Sequence, residues 1–128
     1  MRKKILIVED NTELLELMRS NLRQAGFATM GATNGLDALK KARSGAPDLI
    51  LLDLVLPELD GFAVCEHLRR EPATATTPVI MLTGLTSSMT RYAGLESGAN
   101  EYVTKPVTPV QLLARIEHWL KSQPGESR

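Results

Sequence analysis

The chain has 128 residues, of which 43% are hydrophobic, so it is long and apolar enough for one compact domain and too apolar for a disordered protein. Fifteen basic and fifteen acidic residues cancel, so no net charge attracts the chain to nucleic acid or to an anionic membrane. Cys65 is the only cysteine, which excludes an internal disulfide bond and suits a reducing compartment. The basic N-terminus leads into an apolar run that ends at Glu9, too short for a signal peptide or a membrane span. We therefore expect a cytoplasmic protein with no membrane insertion.

Short apolar runs at five places in the chain predict five strands. The runs are continuous rather than alternating, which is typical of strands covered on both faces and therefore of a parallel sheet. The three strongest runs occupy residues 5–8, 49–52 and 79–82, and weaker ones occupy residues 27–31 and 101–103.

Apolar residues at helical spacing lie between these runs and predict five helices. Gly26 and Gly45 are suitable C-terminal stops for the first two helices. Thr86 or Ser87 is a suitable N-cap for the fourth, and Pro109 takes the favoured first position of the fifth. The predicted helices cover residues 14–25, 36–44, 61–70, 87–97 and 108–120.

The alternation of five strands with five helices predicts an α/β fold, a doubly wound parallel sheet with right-handed crossovers. The sequence has no internal repeat, low-complexity stretch or second core, so we expect residues 1–122 to form one domain. Residues 123–128 contain Pro and Gly and no apolar anchor, which indicates a polar tail or the start of a linker.

Polar residues lie just beyond the ends of four of the predicted strands: Glu9 and Asp10, Asp53, Thr83 and Lys105. The carboxyl ends of neighbouring parallel strands meet at one crevice, so we expect these side chains to converge. Asp10 or Asn11 could simply cap the first helix, and the acids could form a surface patch without a metal. Three converging acids repel each other, however, and a small set of oxygen ligands suits Mg²⁺. With a hydroxyl and an ammonium group added, the set predicts Mg²⁺-assisted transfer of phosphate to a carboxylate.

A pattern of motifs extends over residues 3–121. Thirty residues separate Asp53 from Thr83, and twenty-two separate Thr83 from Lys105. The segments are ILIVEDN at 5–11, DLVLP at 53–57 with DG at 60–61, MLT at 81–83, GA at 98–99 and YVTKP at 102–106. In these segments the chain resembles the receiver domains of bacterial two-component response regulators. The resemblance implies a flavodoxin-like sheet with strand order 2-1-3-4-5 and a cis peptide bond between Lys105 and Pro106.

The resemblance also implies a role for each acid. Asp53 would be the phosphoacceptor, whose carboxylate attacks the phosphohistidine of a sensor histidine kinase or a phosphotransfer protein. Asp10 would bind Mg²⁺ directly, Glu9 would act mostly through bound water, and the backbone carbonyl of Val55 would complete the protein ligands. The chain would then be a signalling domain that catalyses only its own phosphorylation and dephosphorylation.

The same resemblance implies a conformational switch. Thr83 and Lys105 would hold the phosphoryl oxygens after transfer, and Tyr102 would turn inward as Thr83 moves toward the phosphate. The surface formed by the fourth helix, the fifth strand and the fifth helix would change as a result, and a downstream protein or an output domain would bind there.

This surface is similar to the face through which some receivers dimerise, and it carries Arg91, Glu101 and Arg115. Gln111 and His118 stand where that subfamily usually has charged partners, so Glu101 with Arg115 is the clearest remaining cross-dimer pair. Exposed ion pairs contribute only roughly 0–1 kcal/mol each. We therefore expect at most a weak, phosphorylation-dependent homodimer.

Other classes of function remain open. A phosphatase with an aspartate nucleophile would need a second acid two residues after Asp53, where this chain has Val55. A pseudo-receiver scaffold would act without phosphorylation, and retention of all the site residues counts against it. Direct binding of nucleic acid is not expected, because no helix-turn-helix pair or basic stripe remains once the helices are assigned.

Overall fold

Strands and helices alternate along the whole of the computed structural model, which describes residues 2–121. The expected tail at residues 123–128 lies outside the described residues. No helix in the described range combines the length and apolarity needed to cross a bilayer. The elements are β1 Lys4–Val8, α1 Thr12–Gln24, β2 Ala28–Ala32, α2 Gly35–Gly45, β3 Leu49–Leu52, α3 Gly61–Arg70, β4 Val79–Thr83, α4 Ser88–Glu96, β5 Glu101–Thr104 and α5 Pro109–Lys121.

All five strands lie in one parallel sheet, in the order β2-β1-β3-β4-β5, which confirms the predicted fold. The strands β3 and β4 are completely buried, as continuous apolar runs require. The register places Leu52 beside Val8 on one side and beside Met81 on the other. Because these strands end close together, the residues that follow them are brought to one edge of the sheet.

Helices cover both faces of the sheet, so the core has two halves. Leu6 and Val8 point from β1 into the half that contains α2 and α3, whereas Ile5 and Ile7 point into the half that contains α1 and α5. All four side chains are at most 2% exposed. Complete burial of such a side chain stabilises the fold by about 1.5–3 kcal/mol. The two halves of the core therefore hold the end of β1 in place.

The helix ends agree with the prediction except after α2. Gly26 follows α1 with a φ of 101°, as expected for a glycine stop. The left-handed residue after α2 is Ala46, with a φ of 48°, and not Gly45. Gly45 instead permits close packing, since a Cβ there would lie 2.6 Å from the Sδ atom of Met30.

The helix α4 has the fewest buried residues of the five described helices. Ser87 is its N-cap, as predicted, and accepts a hydrogen bond from the backbone N–H of Thr90 at 3.1 Å. Only Gly94 is buried among its nine residues, while Met89 and Tyr92 are 81% and 67% exposed. Few buried contacts give low local stability, so we expect α4 to move more easily than the other helices.

Candidate functional site

The polar residues predicted from the strand ends do meet at the carboxyl edge of the sheet. Backbone hydrogen bonds extend the strand ladders one residue beyond the strands. The N–H of Asp53 donates to the carbonyl of Val8 at 3.1 Å, and the N–H of Lys105 donates to the carbonyl of Thr83 at 2.8 Å. The positions of these two residues are therefore determined by the sheet rather than by flexible loops.

Three carboxylates, which we call the acidic cluster, form the negative part of the site. One oxygen each from Glu9, Asp10 and Asp53 lies within 4.8 Å of the others. Glu9 and Asp53 are 4% and 8% exposed, whereas Asp10 is exposed to solvent. Oxygen ligands at this density suit Mg²⁺, which also retains water ligands that the exposed side of the cluster can accommodate. The donor set therefore fits a magnesium ion.

Lys105 supplies positive charge directly to the acidic cluster. Its Nζ atom donates to Oε1 of Glu9 at 2.5 Å and to Oδ2 of Asp53 at 3.2 Å. Burial by itself lowers the pKa of the Lys105 ammonium, but the hydrogen bond to Glu9 and the charges of Asp53 and Glu9 outweigh burial and raise it. The lysine is therefore firmly in its charged form at neutral pH.

The two oxygens of the Asp53 carboxylate have different neighbours. Oδ1 accepts a hydrogen bond from the N–H of Leu54 at 2.7 Å and a longer one from Val55 at 3.4 Å. Oδ2 faces the ammonium of Lys105. The backbone contacts determine the orientation of the carboxylate, and they leave Oδ2 as the oxygen that lies beside positive charge.

A glycine lets the chain turn back closely against Asp53. The N–H of Gly61 donates to the carbonyl of Leu54 at 3.0 Å. A Cβ at this position would lie 2.4 Å from the carbonyl oxygen of Asp53, which is shorter than real Cβ contacts. Asp60, one residue earlier, is the N-cap of α3 and accepts a hydrogen bond from the N–H of Ala63 at 3.0 Å. This Asp–Gly pair therefore has a capping and packing role.

The bond between Lys105 and Pro106 is cis, as the resemblance implies. Both residues also line an apolar groove of about 340 Å³ between α1 and α5. Leu14, Leu17 and Leu113 form part of its walls. The acidic cluster thus borders on an apolar surface as well as on solvent.

Thr83 and Tyr102 are both buried and are connected through Leu85. The N–H of Leu85 lies 3.4 Å from Oγ1 of Thr83, a long hydrogen bond. Tyr102 is 4% exposed, and its hydroxyl donates to the carbonyl of Leu85 at 2.7 Å and lies 3.3 Å from Oγ1 of Thr90. The ring is therefore turned inward, with its hydroxyl on the loop after β4 and not in water.

The three residues predicted for a dimer face all have partners within the chain. The Nε atom of Arg115 donates to both carboxylate oxygens of Glu101, at 2.9 and 2.8 Å, so this pair is intramolecular here. Arg91 donates to the carbonyl of Tyr102 at 3.1 Å. Sequence reasoning missed Trp119, whose Nε1 donates to Oε1 of Glu101 at 2.6 Å. Its place four residues after Arg115, on the same helix face, was the available signal.

Comparison with known sequences agrees with this geometry. The family model of the response regulator receiver domain matches residues 5–117. The alkaline phosphatase synthesis transcriptional regulatory protein PhoP of Bacillus subtilis is 41% identical over 121 residues, which cover 94% of this chain and 50% of that protein. The DNA-binding response regulator MtrA of Mycobacterium tuberculosis is 41% identical over 126 residues, which cover 98% of this chain and 54% of that protein. The chain thus spans about half the length of the curated relatives it matches.

Solved structures agree as well. The receiver domain of a sensor histidine kinase from Pseudomonas aeruginosa, with a magnesium ion coordinated in its active site cleft, is 30% identical with a TM-score of 0.89, and the match covers 95% of this chain and all (100%) of that one. The BeF3-activated N-terminal receiver domain of Klebsiella pneumoniae RstA is 34% identical with a TM-score of 0.88, covering 94% and 100%. Together with the family match, these likenesses mean that the chain belongs to the receiver domains of two-component response regulators.

Proposed function

We propose that this receiver accepts a phosphoryl group on Asp53 from the phosphohistidine of a sensor histidine kinase or a phosphotransfer protein. The modified domain would then change its contacts with a downstream protein or an output domain. The proposal rests on one observation, the position of the Asp53 carboxylate beside the carboxylates of Glu9 and Asp10 and against the Lys105 ammonium. We place this exchange in the cytoplasm, where kinases obtain the ATP from which the phosphohistidine is made.

Asp53 would supply the nucleophile through Oδ2. Oδ1 is held by the N–H of Leu54, whereas Oδ2 lies beside the Lys105 ammonium. Oδ2 would attack the phosphorus atom as the bond between phosphorus and the donor's imidazole nitrogen breaks, and the bonding electron pair would remain on that nitrogen. The Lys105 ammonium would stabilise the negative charge on the phosphoryl oxygens during this transfer.

Asp10 and Asp53 would hold a magnesium ion directly, with the backbone carbonyl of Val55. Glu9 already accepts a hydrogen bond from Lys105, which supports an indirect role for it through bound water. When bound, the ion would neutralise charge on the phosphoryl group in transit. The magnesium ion in the active site cleft of the Pseudomonas receiver domain supports the choice of metal.

Thr83 and Lys105 would hold the phosphoryl oxygens after transfer. The Thr83 hydroxyl accepts only a long hydrogen bond from Leu85, so its own O–H can turn toward a new acceptor at little cost. The phosphate adds about 1.5 to 2 negative charges at one point. A movement of Thr83 toward it would be passed to Leu85, and from there to the hydroxyl of Tyr102.

The geometry disfavours the two alternative functions. A pseudo-receiver has no need of three clustered acids and a lysine paired with two of them, yet these groups converge at the strand ends. A phosphatase of the aspartate type needs an acid two residues after Asp53 to protonate the leaving group. That residue is Val55, whose apolar side chain is 59% exposed and cannot transfer a proton.

Two proposals concern the output. PhoP is a transcriptional regulatory protein and MtrA is a DNA-binding response regulator. We therefore propose that this receiver controls a DNA-binding output domain or partner and does not bind DNA itself. A weak homodimer could form through the face of α4, β5 and α5. Its cross-dimer pair of Glu101 with Arg115 would have to replace an existing pair within each chain. The net gain would then be even smaller than the roughly 0–1 kcal/mol of an exposed ion pair.

Intact-mass measurement after incubation with acetyl phosphate and Mg²⁺ tests the proposed function. The wild-type protein should gain the mass of one phosphoryl group, and Asp53→Asn should gain none. Asp48→Asn is the matched control, because Asp48 precedes β3 and lies at the opposite edge of the sheet. Phosphorylation of Asp53→Asn to the wild-type extent and at the wild-type rate would refute the assignment of the phosphoacceptor.

A further inference from the structure

Arg91 contacts Tyr102 in two ways. The carbon of its guanidinium group lies 5.1 Å from the centroid of the Tyr102 ring, within the range of a cation–π interaction. Its Nη1 atom also donates to the backbone carbonyl of Tyr102 at 3.1 Å. One exposed side chain on α4 therefore holds both the ring and the backbone of a residue on β5.

Gly94 makes this contact geometrically possible. It lies three residues after Arg91, on the same face of the helix. A Cβ at Gly94 would be 2.9 Å from Cδ2 of the Tyr102 ring and 2.8 Å from Sδ of Met81. The backbone of α4 therefore lies directly on the ring, and the Arg91 guanidinium contacts the same ring from the preceding turn of the helix.

The ring is also connected to the phosphoacceptor edge. Its hydroxyl donates to the carbonyl of Leu85, and the N–H of Leu85 contacts Oγ1 of Thr83. With the ring turned inward, the hydrogen bond from the Tyr102 hydroxyl therefore restrains the loop between β4 and α4 next to Thr83. A residue that stabilises the inward ring also stabilises this arrangement of the loop.

We propose that Arg91 is a positioning residue for the switch, which holds Tyr102 inward and so favours the arrangement of Thr83 that binds the phosphoryl oxygens. Its effect on phosphoryl binding rests on the proposed function, whereas its effect on the ring does not. Arg91 would then act on Tyr102 of its own chain, and not as a partner in an ion pair between two chains. Because apparent affinity scales with the populated fraction of the competent state, loss of this contact should weaken binding of a phosphate mimic by about two- to five-fold.

The ring position can be measured directly in the unphosphorylated protein. The chain contains two tyrosines, so ¹³C-labelled tyrosine gives two ring signals, and Tyr92→Phe assigns them. Arg91→Ala should move the Tyr102 signal toward that of a solvent-exposed ring, and Arg91→Lys should restore it only in part, because lysine lacks the planar guanidinium. Arg70→Ala is the matched control, since Arg70 is an exposed arginine at the far end of α3 and should leave the signal unchanged.

The affinity for beryllofluoride with Mg²⁺ is then measured for the same variants. We expect Arg91→Ala to bind about two- to five-fold more weakly than wild type and Arg70→Ala to bind equally well. An unchanged Tyr102 signal in Arg91→Ala would overturn the positioning role, and a changed signal with unchanged affinity would overturn its coupling to the site. A wild-type protein that binds no beryllofluoride, while its ring signal still responds to Arg91→Ala, would refute the proposed function and leave the positioning role supported.

Discussion

Lys105 is the ion-pair partner of two members of the acidic cluster, so its replacement should strongly destabilise the protein in the absence of divalent ions. Its ammonium pairs with Glu9 and Asp53, whose side chains are 6% and 10% exposed, while its own side chain is 23% exposed. Removing one partner of a fully buried ion pair costs about 3–5 kcal/mol, because a charge is left unpaired. Since Lys105 is partly hydrated, we expect Lys105→Met to lower the free energy of unfolding by about 2–3 kcal/mol.

Urea unfolding in the presence of a chelator measures this loss. Lys40→Met is the matched control, because Lys40 is exposed on α2 and its replacement should change stability by less than about 0.5 kcal/mol. Added Mg²⁺ should stabilise Lys105→Met, by about 2.7 kcal/mol at a concentration of 100 times its Kd if only the native acids bind it. Equal stability of Lys105→Met and Lys40→Met in chelator would show that the buried acids do not depend on the lysine, and the electrostatic reasoning would be wrong.

Three further predictions concern stability and reactivity. Ala46→Gly should raise the free energy of unfolding in urea by about 1 kcal/mol, because glycine adopts the φ of 48° without strain, and a loss of stability would contradict this. Burial alone raises the pKa of Glu101, but hydrogen bonds from Arg115 and Trp119 outweigh burial and lower it below the ordinary 4.5. The stability that Glu101 contributes is thus present above pH 4.5 and is lost as the pH falls through the lowered value, with a change in Trp119 fluorescence that Glu101→Gln should abolish. Burial raises the pKa of the Cys65 thiol, so a disulfide reagent should modify it only as fast as the protein unfolds, and rapid modification of the folded protein would contradict this.

The sheet and the edge that carries the site were predictable from sequence because both depend on local composition. Residues 5–8 and 79–82 are apolar without interruption, which separates strands buried on both faces from amphipathic ones. Parallel strands all end at the same edge, so polar residues that follow them, such as Asp53 and Lys105, must face one crevice. The convergence of the acidic cluster with Lys105 follows from these two facts alone.

The contacts of the switch residues could not be predicted from the sequence. The Tyr102 hydroxyl bonds to a backbone carbonyl, and since every residue has one, the sequence does not indicate which carbonyl is within reach. Exposed helix positions usually carry solvated charges. The resemblance to receivers that dimerise through this face therefore predicts that Arg91 and Arg115 point toward a partner. Whether such a charge has a partner in its own chain depends on how closely helix and strand approach. Gly94 sets that distance for α4, and its role is visible only once the ring beneath it is in place.

The charge balance of the site connects its chemistry to the switch. Glu9, Asp10 and Asp53 carry three negative charges. In the contacts described, the only positive charge beside them is the ammonium of Lys105. Two of the three N–H donors of that ammonium already bind carboxylate oxygens, one of Glu9 and one of Asp53. Phosphorylation of Asp53 would raise the negative charge further, so we expect Lys105 to leave Glu9 in part and Thr83 to supply an additional donor. This excess of negative charge over nearby donors, more than the size of the phosphate, would draw Thr83 inward together with the loop that leads to α4.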